Sequence, residues 1–414
     1  MVHVVFAIPF AMENTLRFAR AVAALPGVRM SVVSQDAAEK LPADFRKGLV
    51  GFERVSDAMQ QDRLADAVGR LARAHGRVER LLGILEPLQE PLAAVRERLS
   101  IRGMDAATAH NFRDKARMKD LFREHGVPCA RHRLCADAAE ALAFARQVGF
   151  PLVGKPPAGA GAKATSRCDD ERELQEFVRA VRPAPGREVL LEEFVLGREF
   201  SFDTVTLHGR HVFHNVCCYY PTPLEVMENP WIQWCVVLPR RLEQPEFADI
   251  HRLGPRALTA LGMWTGMSHM EWFRRHDGTI AISEVAARPP GAQFVSLIGH
   301  VTDVDMYAAY ARLMVSEEFA PPPRRYAAGA AYLRGQVEGG GKPPEGAVVR
   351  AVRGLDEARQ ELGELIVEAK LPAVGRAAQA TYEGDGYVIV RHPDTAVVTR
   401  AVQHVVRTVR VELG

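Results

Sequence analysis

Residues 269–291 read HMEWFRRHDGTIAISEVAARPPG, and the division of this stretch decides the fold. Residues 270–274 and 279–285 are apolar and β-branched runs on either side of Asp277-Gly278, a dipeptide suited to the positive φ of a tight turn, so they predict an antiparallel hairpin. Glu271 and Glu284 fall one on each strand, where residues across a hairpin share a face. Two carboxylates plus substrate phosphates suffice to hold magnesium, although a solvated hairpin face is the other reading of the pair alone. Arg288 follows Glu284 by four residues, and its planar fork suits a phosphate or a carboxylate.

Upstream, residues 190–201 read LLEEFVLGREFS, which predicts strands at 189–194 and 200–207 joined by a turn at Gly197. Residues 149–156, GFPLVGKP, predict a short strand over 152–155 that ends on Lys155, after a helix over 138–148. A loop of small residues follows, with Gly159 and Gly161 among alanines. Such a loop lets backbone N–H groups approach an anion closely, and an ammonium is a compact donor to phosphate. A surface lysine beside a tight turn is the alternative. The stretch GAGAKAT is not a Walker A loop, since Ala162 precedes Lys163 and no hydroxyl residue follows directly. Farther upstream, Lys115 in FRDK opens a helix, expected over 113–125 and closed by Gly126-Val127-Pro128.

The order FRDK, GFPLVGKP with its small-residue loop, LLEEFVLGREFS and then the carboxylate hairpin resembles the ATP-grasp superfamily. More closely, it is similar to the carboxylate-amine ligases of the L-amino-acid ligase and biotin carboxylase-like group. The resemblance implies a mixed α/β and α+β architecture. A Rossmann-like pre-ATP-grasp domain would occupy 1–104, the ATP-grasp domain 105–318 and a small α+β domain 319–414. It implies ATP and Mg²⁺ or Mn²⁺ as cofactors, ADP as product, and an acyl phosphate formed from a small-molecule carboxylate for attack by an amine or a thiol. It also admits a homodimer. By the same resemblance Lys115, Lys155, Gly159 and Gly161 would serve the ATP phosphates. Glu192 and the backbone of Glu193, Phe194 and Val195 would face adenine, and Glu199 the ribose hydroxyls. Glu271 and Glu284 would hold the metal, and Arg288 would supply catalytic charge.

One position departs from that pattern: Ala286 stands where the family has Asn in Glu-x-Asn-x-Arg. A lost oxygen ligand leaves a single metal completed by water, weakens a second metal, or marks a chain that binds nucleotide without turnover. The alternatives to a ligase are a nucleotide-binding regulatory protein, which Ala286 motivates, and biotin carboxylase-like carboxylation, which the resemblance permits.

The remaining sequence sets limits. With 53 Lys and Arg against 51 Asp and Glu over 414 residues, the net charge is +2, and no basic excess marks a nucleic-acid binder. No apolar run of membrane-spanning length and no basic-then-apolar leader is present, so the reading is cytoplasmic with no membrane partner. The six cysteines include no C-x-x-C, and Cys129, His132 and Cys135 lack a second pair to complete a zinc site. Residues 2–8, 15–24 and 29–34 alternate strand, helix and strand, the rhythm of a parallel sheet, without the G-x-G-x-x-G of a dinucleotide site. Residues 320–324, APPPR, predict an extended linker. Trp231 and Trp234 lie in a segment suited to a substrate pocket or to a packed core, and His269 and His300 receive no role.

Overall fold

The computed structural model describes residues 1–158 and 165–414. The N-terminal run forms the strand Val2–Ala7, flanked by parallel partners Val28–Ser34 and Arg80–Leu82, with Gly51–Arg54 beyond the former. Alternation along the strand sends Val4 and Phe6 into one core with helix Glu13–Ala23, and Val5 and Ala7 into another with helix Gln61–His75. Covering both faces is what a parallel sheet requires.

The helix expected over 113–125 is present as Lys115–Glu124, and a separate short helix, Ala106–Arg113, precedes it. The break is at Asp114, whose carboxylate accepts the Arg117 N–H and caps the second helix. Aspartate at this position satisfies an orphan backbone donor that a continuing helix would not leave, so the local optimum is a new start. Lys115 opens its helix, as expected.

A four-stranded antiparallel sheet follows, in the order His132–Cys135, Val189–Glu193, Leu152–Lys155, Ser166–Cys168. Helices Ala138–Val148 and Glu171–Val181 pack on it through Phe144, Leu174 and Val178. Strand Val189–Glu193 then passes at Gly197 into Gly197–Leu207, in the middle of an eight-stranded antiparallel sheet. A Cβ at Gly197 would lie 2.1 Å from the Arg274 carbonyl oxygen, so only glycine allows the crossing.

The expected hairpin is present and longer than predicted, Gly266–Arg275 with Ile280–Ala286, at one edge of the large sheet. The sheet runs on through Arg210–Tyr220, Trp234–Leu238, Ala327–Leu333, Gly386–His392 and Ile366–Lys370, and so crosses residue 318. Residues 320–324 carry neither helix nor strand. A last small sheet joins Gly335–Gln336, Arg410–Leu413 and Val349–Arg353. The mixed α/β and α+β class is as expected. The four-stranded sheet and the large one face each other across a cleft, and the chain passes between them at Gly197.

Candidate active site

Each element delivers its polar residue to the same place because the strand and helix ends converge there. Lys155 ends the strand Leu152–Lys155, Glu192 lies near the end of Val189–Glu193, and Glu199 near the start of Gly197–Leu207. Glu271 and Glu284 are direct partners across the hairpin, which places both carboxylates on one face. Lys115, Lys155, Glu192, Glu193, Phe194, Val195, Glu199, Glu271, Glu284 and Arg288 all line one cavity of about 430 Å³. Gly159 and Gly161 lie outside the described residues.

Charge inside the cavity is paired in a definite pattern. Lys115 Nζ lies 3.0 Å from Glu284 Oε2, and Lys155 Nζ 2.9 Å from Glu192 Oε2. A third lysine, Lys119, is fully buried and donates to the Ser283 carbonyl at 2.6 Å while standing 3.4 Å from Glu192 Oε1. Burial opposes the charge on Glu284, yet Lys115 and Lys155 hold its carboxyl well below the usual range. Burial also opposes the charge on Lys115, and Glu284 and Glu86 outweigh it, so its ammonium is held above the ordinary value. Glu199 shows the reverse: burial, with Glu271 and Glu284 alongside, pushes its carboxyl well above the ordinary value.

The oxygen donors of Glu271 and Glu284 are hard ligands that fit Mg²⁺ in kind. Among the described residues no three His, Cys, Asp or Glu side chains converge to hold a metal unaided. A pair of carboxylates completed by nucleotide phosphates matches that arrangement. The Cys129, His132 and Cys135 spacing yields no metal cluster either. Cys135 is buried and donates to the Arg133 carbonyl, while His132 faces Asp120 at 3.2 Å.

Ala286, at the position of the missing Asn, pairs in register with His269. His269 Nδ1 lies 2.6 Å from Asp203 Oδ1 and Nε2 lies 3.7 Å from Glu271 Oε1. Burial would lower the imidazole pKa, but the Asp203 hydrogen bond raises it to about 9. An imidazolium thus stands beside Glu271, on the strand opposite the absent side chain.

Beyond His269 and Arg288 the cavity becomes aromatic. Tyr219, Trp234, Phe294 and Tyr382 line this end with Pro223 and Leu224. Trp234 stacks on Tyr332 with centroids 4.6 Å apart and donates its indole N–H to the Tyr382 carbonyl at 2.8 Å, so the wall is fixed from behind. Trp231 does not line the cavity.

Sequence reasoning missed Lys119, Glu86, the Asp203–His269 pair and Tyr382, while the segment holding Tyr219 and Trp234 was read as suited to a substrate pocket or a packed core. Lys119 had a readable signal: it is four residues after Lys115 and lies between Met118 and Phe122 on the buried face of its helix. His300, the other unassigned histidine, faces Glu368 at 3.1 Å, outside the cavity.

The four-stranded sheet that carries Lys155 and the large sheet that carries Glu199, Glu271 and Glu284 line the same cavity. Residues 120–303 match the family model for the ATP-grasp domain. Three solved structures share the architecture over nearly the whole chain. The L-amino acid ligase of Bacillus licheniformis is 18% identical, covering 99% of this chain and 98% of its own, with a TM-score of 0.77. N5-carboxyaminoimidazole ribonucleotide synthetase of Thermotoga maritima is 18% identical over 100% of this chain and 99% of its own, at 0.69. The biotin carboxylase domain of Hydrogenobacter thermophilus 2-oxoglutarate carboxylase, solved with MgADP and bicarbonate, is 19% identical over 99% of this chain and 90% of its own, at 0.71. Among curated proteins, the uncharacterized protein y4rH of Sinorhizobium fredii is 27% identical over 224 residues. The match covers 52% of this chain and 44% of that relative, so the chain spans less than half the length of the relative it matches. Among the described residues no helix is long and apolar enough to cross a membrane.

Proposed function

We propose that the chain is an ATP-dependent, ADP-forming ligase that joins a small-molecule carboxylate to an amine through an acyl phosphate. One observation carries this reading: paired lysines, three carboxylates and Arg288 share a single cavity with the aromatic side chains of Tyr219, Trp234, Phe294 and Tyr382. A carboxylate oxygen attacks the γ-phosphorus and ADP leaves; the amine then attacks the acyl carbon and phosphate leaves. Splitting the reaction replaces a hopeless oxide leaving group with phosphate. Phosphoryl transfer asks the protein mainly for positioning and charge, which Lys115, Lys155 and Arg288 supply. Glu271 and Glu284 would hold Mg²⁺ or Mn²⁺, whose contribution when bound is to neutralise the phosphate oxygens. The absence of a Ser-His-Asp nucleophile fits a first step that needs none.

The test is ADP and phosphate release from Mg-ATP with a panel of amino acids and other carboxylic acids, alone and in pairs with amines. We expect release that needs one acid and one amine. Acids or amines bearing apolar or aromatic groups should be preferred to acidic ones, since Tyr219, Trp234, Phe294 and Tyr382 offer a flat apolar surface. Release that depends on bicarbonate alone would instead point to carboxylation.

Ala286 favours a second reading, an ATP-binding regulatory protein with weakened turnover. ATP binding by calorimetry with no ADP release under any pairing would support it. Ala286→Asn is expected to restore an oxygen ligand and lower the Mg²⁺ concentration needed for half-maximal ADP binding by about tenfold, the effect of about 1.4 kcal/mol. Calorimetry with ADP over a Mg²⁺ series measures it, and an unchanged requirement would mean that water already satisfies the site.

A further inference from the structure

The N-terminal sheet sends one carboxylate into the phosphate end of the cleft. Glu86 follows strand Arg80–Leu82 in the single turn Glu86–Leu88 and is 8% exposed. Its Oε2 accepts from Arg288 Nη2 at 2.8 Å and Nε at 3.2 Å, while its Oε1 accepts from Arg113 Nη1 at 3.1 Å. Arg288 Nη1 also donates to the Pro289 carbonyl at 3.0 Å. Each Nη carries two hydrogens, so one on Nη1 and one on Nη2 are not committed to these partners.

We propose that Glu86 is a positioning residue for Arg288. Glu86 does not line the ATP cavity, whereas Arg288 does, so the carboxylate acts through the guanidinium. An arginine side chain left to itself samples many rotamers, and ordering it at the moment of reaction is costly. The Glu86 fork orders it in the folded protein, with the uncommitted donors of Nη1 and Nη2 free to meet the transferring phosphoryl group or the substrate carboxylate. Arg113 matters because a buried carboxylate facing two guanidinium groups keeps its charge and its geometry. The contact spans 202 residues of sequence, so the N-terminal domain sets the geometry of a residue in the ATP-grasp domain. What Arg288 then does to substrate rests on the ligase reading; the clamp itself does not.

Two measurements separate those claims. The first is a cycle of Glu86→Gln, Arg288→Ala and the double variant, read as kcat and KM with the best acid and amine pair. Loss of positioning should lower kcat of Glu86→Gln about 100-fold, the scale of a misplacement near 1 Å, with Mg-ADP affinity by calorimetry within about threefold because Lys155 is untouched. The double variant should be no slower than Arg288→Ala alone. Losses that multiply would overturn the proposal and leave Glu86 a merely structural contact. Glu86→Asp, which keeps the charge, is expected to recover part of kcat and guards against a folding defect in the glutamine variant.

The second measurement needs no turnover. Phenylglyoxal modification of Arg288, followed by peptide mapping, should run about tenfold faster in Glu86→Gln than in the parent, as expected for loss of roughly 1.4 kcal/mol of local restraint. An unchanged rate would sink the clamp. If the parent releases no ADP with any pair but Arg288 is deprotected in the variant, the ligase reading falls and the clamp stands.

Discussion

Glu284→Ala is expected to abolish ADP release, with a loss of about 1,000-fold or more, equivalent to about 4 kcal/mol of transition-state stabilisation. The size follows from position. Glu284 is one of two carboxylates that face each other across the hairpin, and its other contact is Lys115 at 3.0 Å. Its removal takes away half of the carboxylate pair available to a divalent cation and the anchor that holds Lys115 in place. Its side chain is partly open to the cavity, so the variant should fold, and a thermal melt within a few degrees of the parent would confirm that. Nucleotide binding should fall less than turnover, because Lys155 and the strand ending at Glu193 are unaffected. Glu284→Asp should retain measurable activity, since the charge stays while its reach shortens. Activity above a tenth of the parent in the alanine variant would remove the hairpin carboxylates from the mechanism.

The same residues show what the sequence could and could not reveal. The hairpin was legible because Asp277-Gly278 is strong local turn chemistry and the flanking period is two, so register followed and Glu271 met Glu284. Lys155 was legible because a short apolar strand ends on it. The helix starting at Lys115 was legible as well, whereas the short helix Ala106–Arg113 before it was not, since it buries only Ala109 and Phe112 and leaves little apolar period to read. Glu86 gave no signal at all, since its role depends on a partner 202 residues away and nothing local distinguishes it from a surface acid before Pro87. The Asp203–His269 pair was hidden for a related reason: its two members lie on neighbouring strands 66 residues apart in sequence. Local chemistry wrote the hairpin and the strand ends, whereas the partners of the charges came from packing between distant elements.

Glu192→Ala should cost about 3–5 kcal/mol of stability, the scale of a buried ion pair broken by removing one partner. Glu192 is 4% exposed and lies between two ammonium groups, Lys155 at 2.9 Å and Lys119 at 3.4 Å. Lys119 is fully buried, and burial already pulls its pKa below the ordinary lysine value despite Glu192. Without the carboxylate, two buried cations face each other and the penalty falls on both. The first thermal transition should drop by roughly 10 °C, at about 2–4 °C per kcal/mol, and calorimetric melting measures it. The pH dependence identifies the cause. Burial raises the carboxyl pKa of Glu192, but the two lysines more than compensate and lower it. Its contribution is therefore fully present above the unfolded value of 4.5 and is lost as pH falls through the lower folded value. The deficit of Glu192→Ala against the parent should then shrink in acid, where the parent loses the same contribution. It should shrink again as pH rises toward 10, where Lys119, with its lowered pKa, sheds its proton in the folded state before the unfolded chain does. Adding Lys119→Met to Glu192→Ala removes the second stranded charge and should recover much of the loss, because an apolar side chain of similar length packs beside Met118 and Phe122 without a desolvation cost. A deficit independent of pH and unrelieved by the second substitution would mean that the lost contacts of Glu192 are steric, and that the lysines beside it are neutralised by something other than its charge.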